Sequence, residues 1–231
     1  MTETLERRAP RLTKGALVQI TEGVVGVSAN VIVFQYNPEK LTRSLTPWNP
    51  FEADGDGRGS ASPSAQPFDP KESLQLEIEL DASDALAESH AIAVSVGVAD
   101  RIAAIEALLW PSTGLLGDLA NAAADLFGQG TPVQRTSVPL VLFVWGPGRI
   151  VPVRVTEYAI EEQIFSPLLF PLQAKISLGL EVVAPSAFGC DHTATAELAR
   201  AAYRLHRLGQ TSLAAAHFGS NLDALRSLIS T

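Results

Sequence analysis

The chain has little of what most functional signatures are built from. It holds one cysteine, Cys190, in 231 residues, which excludes an internal disulfide and leaves no second thiolate for a zinc site. Such a chain suits a reducing compartment. Aromatic residues make up 6% and charged residues 18%. The net charge of −8 argues against a broad nucleic-acid surface, which needs clustered lysine and arginine. The early basic residues Arg7, Arg8, Arg11 and Lys14 are interleaved with Glu3 and Glu6 and read as a solvated end. No apolar run reaches the length of a membrane span, and the N-terminus has no apolar signal core. The expectation is a cytoplasmic protein without membrane contact. No GxSxG, HExxH or P-loop string is present, so the common hydrolase, metalloprotease and nucleotide signatures are missing.

What is present is alternating apolar sequence, and residues 136–183 hold most of it. Val138, Leu140, Leu142 and Val144 fall on one side at period two, and Pro139, Val141, Phe143 and Trp145 on the other. A strand apolar on both sides is covered on both sides, so this one belongs inside a sheet. Gly146-Pro147-Gly148 turns the chain, and Val151, Val153 and Val155 resume the alternation. The pattern slips near Glu157-Tyr158, which reads as a bulge. Leu172, Ala174, Ile176, Leu178, Leu180 and Val182 then face inward, with Gln173, Lys175, Ser177 and Glu181 outward. The whole is an antiparallel meander.

Around it, residues 1–14 read as a flexible arm. Residues 15–21 and 30–36 read as two strands that form a hairpin across Gly23 and Gly26. The second strand runs into Asn37-Pro38 and must leave the sheet there, because proline has no N–H for the ladder. Leu41 and Leu45, with Arg43 between them, continue one side of another extended piece. Residues 46–72 are rich in Gly, Pro, Ser and Asp and read as a mobile loop. Within them Asp54-Gly55-Asp56-Gly57 lacks the later ligands and terminal glutamate of a calcium loop. Leu74, Leu76, Ile78 and Leu80 alternate with Gln75, Glu77 and Glu79 as a half-buried strand.

Val94, Val98, Ile102, Ile105 and Leu109 predict one main helix, weakened at Gly97 and stopped by Trp110-Pro111. Residues 117–127 read as a short second helix. In residues 193–208, Leu198, Ala201, Ala202, Leu205 and Leu208 share one side of a helix. Gly209 is expected to end it, with a second helical piece from about Ser220. Such a short helical pair buries little by itself and is expected to find a partner surface.

Reactive residue types are scattered. Cys190-Asp191-His192 is the one dense cluster, and two residues is a poor spacing for a cysteine and its base. Glu157, Glu161 and Glu162 lie near the bend and read as an exposed edge rather than an acid–base pair. His206, beside Arg204 and Arg207, reads as part of a solvated helix face. No catalytic, cofactor or metal residues are assigned, and an enzyme is not expected.

One string carries a family likeness. Phe34-Gln35-Tyr36-Asn37-Pro38 resembles the phenylalanine-x-aromatic-asparagine-proline signature of the tube-like domain of contractile injection system proteins. These are the baseplate–tube adaptors of phage-tail-like particles of the Afp and PVC types. The likeness returns in the leucine–aromatic–proline end at Leu109-Trp110-Pro111. It continues in the strand from Pro139 to Trp145-Gly146, in the segment holding Phe165 and Pro167, and in the last strand. It spans roughly residues 15–185. Many such adaptors carry a LysM module after this point, and this tail has no LysM pattern.

The resemblance implies an α+β fold: an antiparallel β-barrel or sandwich of phage-tail-tube type, residues 15–185, with one main packing helix. Residues 186–231 would be a C-terminal helical extension. It implies a structural protein forming a homohexamer ring between the spike hub and the inner tube, where it initiates tube assembly. The family motif residues Phe34, Tyr36, Asn37, Pro38, Trp145, Gly146, Phe165 and Pro167 would serve that assembly. Partners would be copies of itself, the spike or hub protein, inner tube proteins, and sheath or baseplate wedge through the C-terminal helices. Neither nucleic acid nor membrane is expected. The alternatives are the inner tube subunit itself, or a small-ligand-binding β-barrel or enzyme that uses a cavity between apolar strands.

Overall fold

Seven strands form one antiparallel sheet in the computed structural model, which describes residues 13–23, 26–49, 66–111, 126 and 138–220. In chain order they are β1 (Ala16–Gly23), β2 (Gly26–Val33), β3 (Leu41–Thr46), β4 (Lys71–Asp81), β5 (Leu140–Val144), β6 (Ile150–Phe165) and β7 (Pro171–Val182). Their order across the sheet is β2-β1-β5-β6-β7-β4-β3. The meander read from residues 136–183 is β5-β6-β7, and β1 and β2 form the expected hairpin. β5 lies inside the sheet, with Val141, Leu142 and Phe143 all buried, so both of its faces are covered as its two-sided apolar pattern requires.

The sheet does not close into a barrel. β2 and β3, its two edges, pair on one side only among the described residues. It is nevertheless strongly curved. Leu17 and Phe143 from one half share a single buried cluster with Leu74 and Ile78 from the other. Residues 34–40 join the two edge strands, and that stretch reaches at most about 24 Å fully extended. The linker explains why closure fails. Phe34 is fully buried, and its N–H still bonds the carbonyl of Gly15 at 2.9 Å. The chain then crosses to β3, carrying Pro38, which cannot donate to a ladder.

Helices supply the lid on the inner face. The single main helix expected there is three short ones: α1 (Ser83–Ala87), α2 (Ala91–Val96) and α3 (Ala99–Glu106). The break falls at Gly97, with φ +62°. There the chain turns so that Val98 N–H bonds the carbonyl of Pro171 at the start of β7, at 2.9 Å. Val98, Ile102, Ile105 and Leu108 are buried in the main cluster, whereas Val94 is exposed. Leu108, not Leu109, is the buried residue at the end.

The tail also differs from expectation. Instead of two pieces divided at Gly209, one helix, α4 (Ala194–Ser220), runs straight through it. A glycine inside a helix costs only about 1 kcal/mol relative to alanine, which 27 residues of continuous hydrogen bonding absorb. α4 packs back on the sheet, and of the side expected to be covered only Ala202 is buried. Ala196, Ala199, Ala202 and Tyr203 are buried, while Leu205 and Leu208 are 64% and 66% exposed. Ala202 meets Ile20 and Leu142 on the outer face, and Tyr203 joins the main core. Small side chains let the helix approach the sheet closely, so alanine, not leucine, marks the contact side. The expected helix over residues 117–127 and the second tail piece after Ser220 lie outside the described residues, apart from Leu126. So do most of the 46–72 loop and the 1–14 arm.

Candidate functional site

The linker between the edge strands carries Phe34, Tyr36, Asn37 and Pro38, with Trp145 packed beside it. Phe34, Phe143 and Trp145 form an aromatic triad. The Phe143 and Trp145 rings stack at 5.7 Å between centroids, and Phe34 lies 6.4 Å from each. Gly146 opens the β5–β6 turn at φ +88°, a conformation that favours glycine. Asn37 is a clamp: its Oδ1 accepts from Gly15 N–H at 2.8 Å, and its Nδ2 donates to the carbonyl of Thr13 at 2.9 Å. It therefore holds the chain leading into β1 against the chain leaving β2. Pro38 is half-buried and Tyr36 is exposed.

Sequence reading missed the residue in the string that bonds most. Gln35 lies along Asp81 as a strand would: its Nε2 donates to the Asp81 carbonyl at 2.8 Å, and its Oε1 accepts from Asp81 N–H at 3.0 Å. Arg101 of α3 adds a third bond to the same oxygen at 2.6 Å. One side-chain amide thus ties the linker, β4 and α3 together. The Asp81 carboxyl lies below its usual range, mainly because Ser83 bonds it, with Gln173 and Arg101 assisting. Nothing in the linear spacing of Gln35, Asp81 and Arg101 signals this contact.

Phe165 and Pro167 lie apart from that cluster, at the far end of the β6–β7 hairpin, and both are exposed. The turn is held by Ser166 N–H to the Phe170 carbonyl at 2.8 Å and Leu169 N–H to the Ser166 carbonyl at 2.9 Å. Its tip presents Ile164, Phe165, Leu168 and Leu169 to solvent, the two leucines 75% and 77% exposed. Ile164 and Leu169 both have positive φ, +50° and +64°, a region that a β-branched residue rarely adopts. The tip is thus exposed, apolar and strained.

The bulge expected near Glu157 is present between Val155 and Glu157. It switches the inward side chains of β6 from Val151, Val153 and Val155 to Tyr158 and Ile160. Glu157 then faces Gly179, where an added Cβ would come within 2.8 Å of the glutamate's own. Tyr158 Oη donates to Glu106 at 3.2 Å, and burial beside that carboxylate holds its hydroxyl proton to high pH.

A third feature lies between α4 and the mouth of the curved sheet. A cavity of about 530 Å³ is lined by Leu41, Leu74, Phe143 and Trp145 on one wall and by Arg43, Glu72 and His206 on another. Arg43 pairs with the buried Glu72. Alternation one step back from Leu74 puts Glu72 on the inner face, so this buried carboxylate was legible in the sequence. His206 is not on a solvated face as expected: it is 8% exposed, its Nε2 meets Gln210 at 2.8 Å, and its Nδ1 is buried with no hydrogen-bond partner among the described residues. Burial pushes the imidazole below its ordinary pKa. Tyr203 Oη donates to Asp69 at 3.0 Å, and burial with that carboxylate raises the phenol to about 12.

The Cys190-Asp191-His192 stretch leads into α4. Asp191 Oδ1 accepts from Thr193 N–H at 2.9 Å, which lowers its pKa, and Cys190 is exposed. Among the described residues no group of three potential metal ligands converges, and no helix is long and apolar enough to cross a membrane. Compared with known protein families and with curated proteins, the chain matches none of them.

Proposed function

We propose that this chain is a structural baseplate component of a bacterial contractile injection system, an adaptor ring of six copies between spike hub and inner tube. The observation that carries this reading is the open sheet, whose two edge strands each pair on one side only among the described residues. Strand edges left unpaired are a template for pairing with another chain, and an edge on each side suits head-to-tail contacts that close into a ring. The apolar β6–β7 tip, which carries Phe165 and Pro167, adds a surface for the next layer, and the other motif residues lie on or beside the linker that joins both edges. The mechanism is templating: one face matches the spike, the other matches the first tube ring, and no covalent step is needed. Imaging of purified particles tests this. Density for about six copies on the tube–spike axis is expected, following the closed symmetry of such rings. Density off that axis rejects the reading, and a count in the tens or hundreds assigns the chain to the inner tube instead.

The cavity beneath α4 favours a second reading, a small-ligand-binding protein. Its apolar wall with a few polar groups at one side has the make-up of a ligand pocket. A monomer that co-purifies with a small organic molecule in that cavity would support this reading over the adaptor.

A further inference from the structure

α4 separates charge in an unusual way. From Leu198 to Ser220 it carries Arg200, Arg204 and Arg207 and no carboxylate, in a chain of net charge −8. Arg200 is buried and bonded to Glu197 and the Gly189 carbonyl. Arg204 and Arg207 are exposed, and neither forms an ion pair among the described residues. They alternate with the outward leucines Leu205 and Leu208. The solvent side of the helix is therefore apolar and basic together.

The same chain carries a surface of the opposite character. A groove of about 570 Å³ runs over the β4–β7–β6 region beside the linker, lined by Glu39, Glu77, Glu79 and Glu157, with Tyr36 and Pro38 forming an apolar wall. Lys40 is its one lining cation. Lys175 bridges Glu77 and Glu79. Glu39 and Glu157 are exposed and make no ion pair among the described residues. α4 does not fill this groove within one molecule, because its alanine side is seated against β1, β5 and β6.

We propose that α4 of one copy docks into the acidic groove of the next copy. Arg204 and Arg207 face Glu39 and Glu157, and the leucines cover Tyr36 and Pro38. Complementary charge fixes the register and partner of such a contact, and a contact between two different patches of one chain is head-to-tail, as a ring requires. The inference rests on the reading that copies of this chain assemble with one another, and it names the contact.

Sedimentation velocity of the full chain at low salt tests it, with three variants: Arg204→Glu/Arg207→Glu, Glu39→Lys/Glu157→Lys, and the two combined. All four positions are exposed, so melting temperatures should match the wild type. The wild type is expected to associate and to lose association as salt rises. Each double variant should weaken association about tenfold or more, and the combined charge swap should recover most of the loss. If both double variants associate as the wild type does, the contact is wrong while the adaptor reading stands. If only the arginine variant weakens association, or the charge swap recovers nothing, α4 faces some other surface and the contact is again wrong. A wild type that stays monomeric at its highest soluble concentration also overturns it, leaving particle imaging to decide the adaptor reading separately.

Discussion

Within the five-residue linker string, the bonds that hold the fold fall on some side chains and leave others exposed. Gln35 makes three bonds that join the linker to β4 and α3, and removing it leaves the Arg101 side chain and the Asp81 backbone without those partners. Gln35→Ala is expected to cost about 2–3 kcal/mol in chemical denaturation, since three partly buried hydrogen bonds are lost at once. Tyr36 is exposed and lines the groove, so Tyr36→Ala should change folding stability by no more than about 0.5 kcal/mol; if α4 of a second copy docks there, the same variant should weaken association in sedimentation velocity. His206 sets a pH dependence. Above about pH 6.5 the imidazole is neutral in both folded and unfolded chain. Below it the unfolded chain takes up a proton first, because burial depresses the folded pKa. Stability from this residue is thus complete above pH 6.5 and is lost as pH falls through the lower folded value. Glu72 opposes that loss, while Arg43, Arg149 and Arg207 add to it. Melting curves across this range should fall with acid in the wild type and fall less in His206→Gln.

At the scale of elements, the helix break at Gly97 is the sharpest constraint. A Cβ there would lie 2.1 Å from the carbonyl oxygen of Pro171, the atom that accepts from Val98. Gly97→Ala should cost about 3 kcal/mol or more, combining overlap with a left-handed backbone. Gly146→Ala, at φ +88° with nothing within 4 Å of the added carbon, should cost only the conformational share, about 1–2 kcal/mol. Denaturant titration of both variants separates the two causes. The same comparison shows what could be read beforehand. Strands with strict alternation, such as 74–80 and 172–182, were legible in boundary and in facing, because period two leaves one choice of inner side. Gly97 was legible as a weak point but not as a full break, since its partner, Pro171, is distant in sequence. α4 was legible as a helix and misread in facing. Its leucines point outward because its contact with the sheet selects small residues, and no local period distinguishes a stripe for the core from one for a partner. The Gln35 bridge and the burial of His206 needed the tertiary structure, as both depend on residues more than forty positions away.

For the whole molecule, the question is which surfaces are costly to leave bare. The curved sheet buries its inner face on α3 and part of its outer face on α4, yet leaves both edges and the β6–β7 tip exposed. The tip is the clearest case. Ile164 holds a left-handed conformation at φ +50°, which costs about 1–2 kcal/mol for such a residue, and its side chain is 59% exposed. Strain kept at an exposed apolar turn is expected where a neighbouring surface uses its shape. Ile164→Asn, which accepts that backbone more readily, should therefore leave the isolated chain as stable or more stable, by up to about 1 kcal/mol. If the tip seats the first tube ring, the same variant combined with Leu168→Ser should yield fewer or shorter tubes, counted by electron microscopy of cells producing complete particles. Normal tubes alongside a stabilised chain would separate the strain from assembly and remove the tip from the contact. Fewer tubes from a chain whose own melting temperature has not fallen would tie the exposed leucine and the strained isoleucine to the same interface.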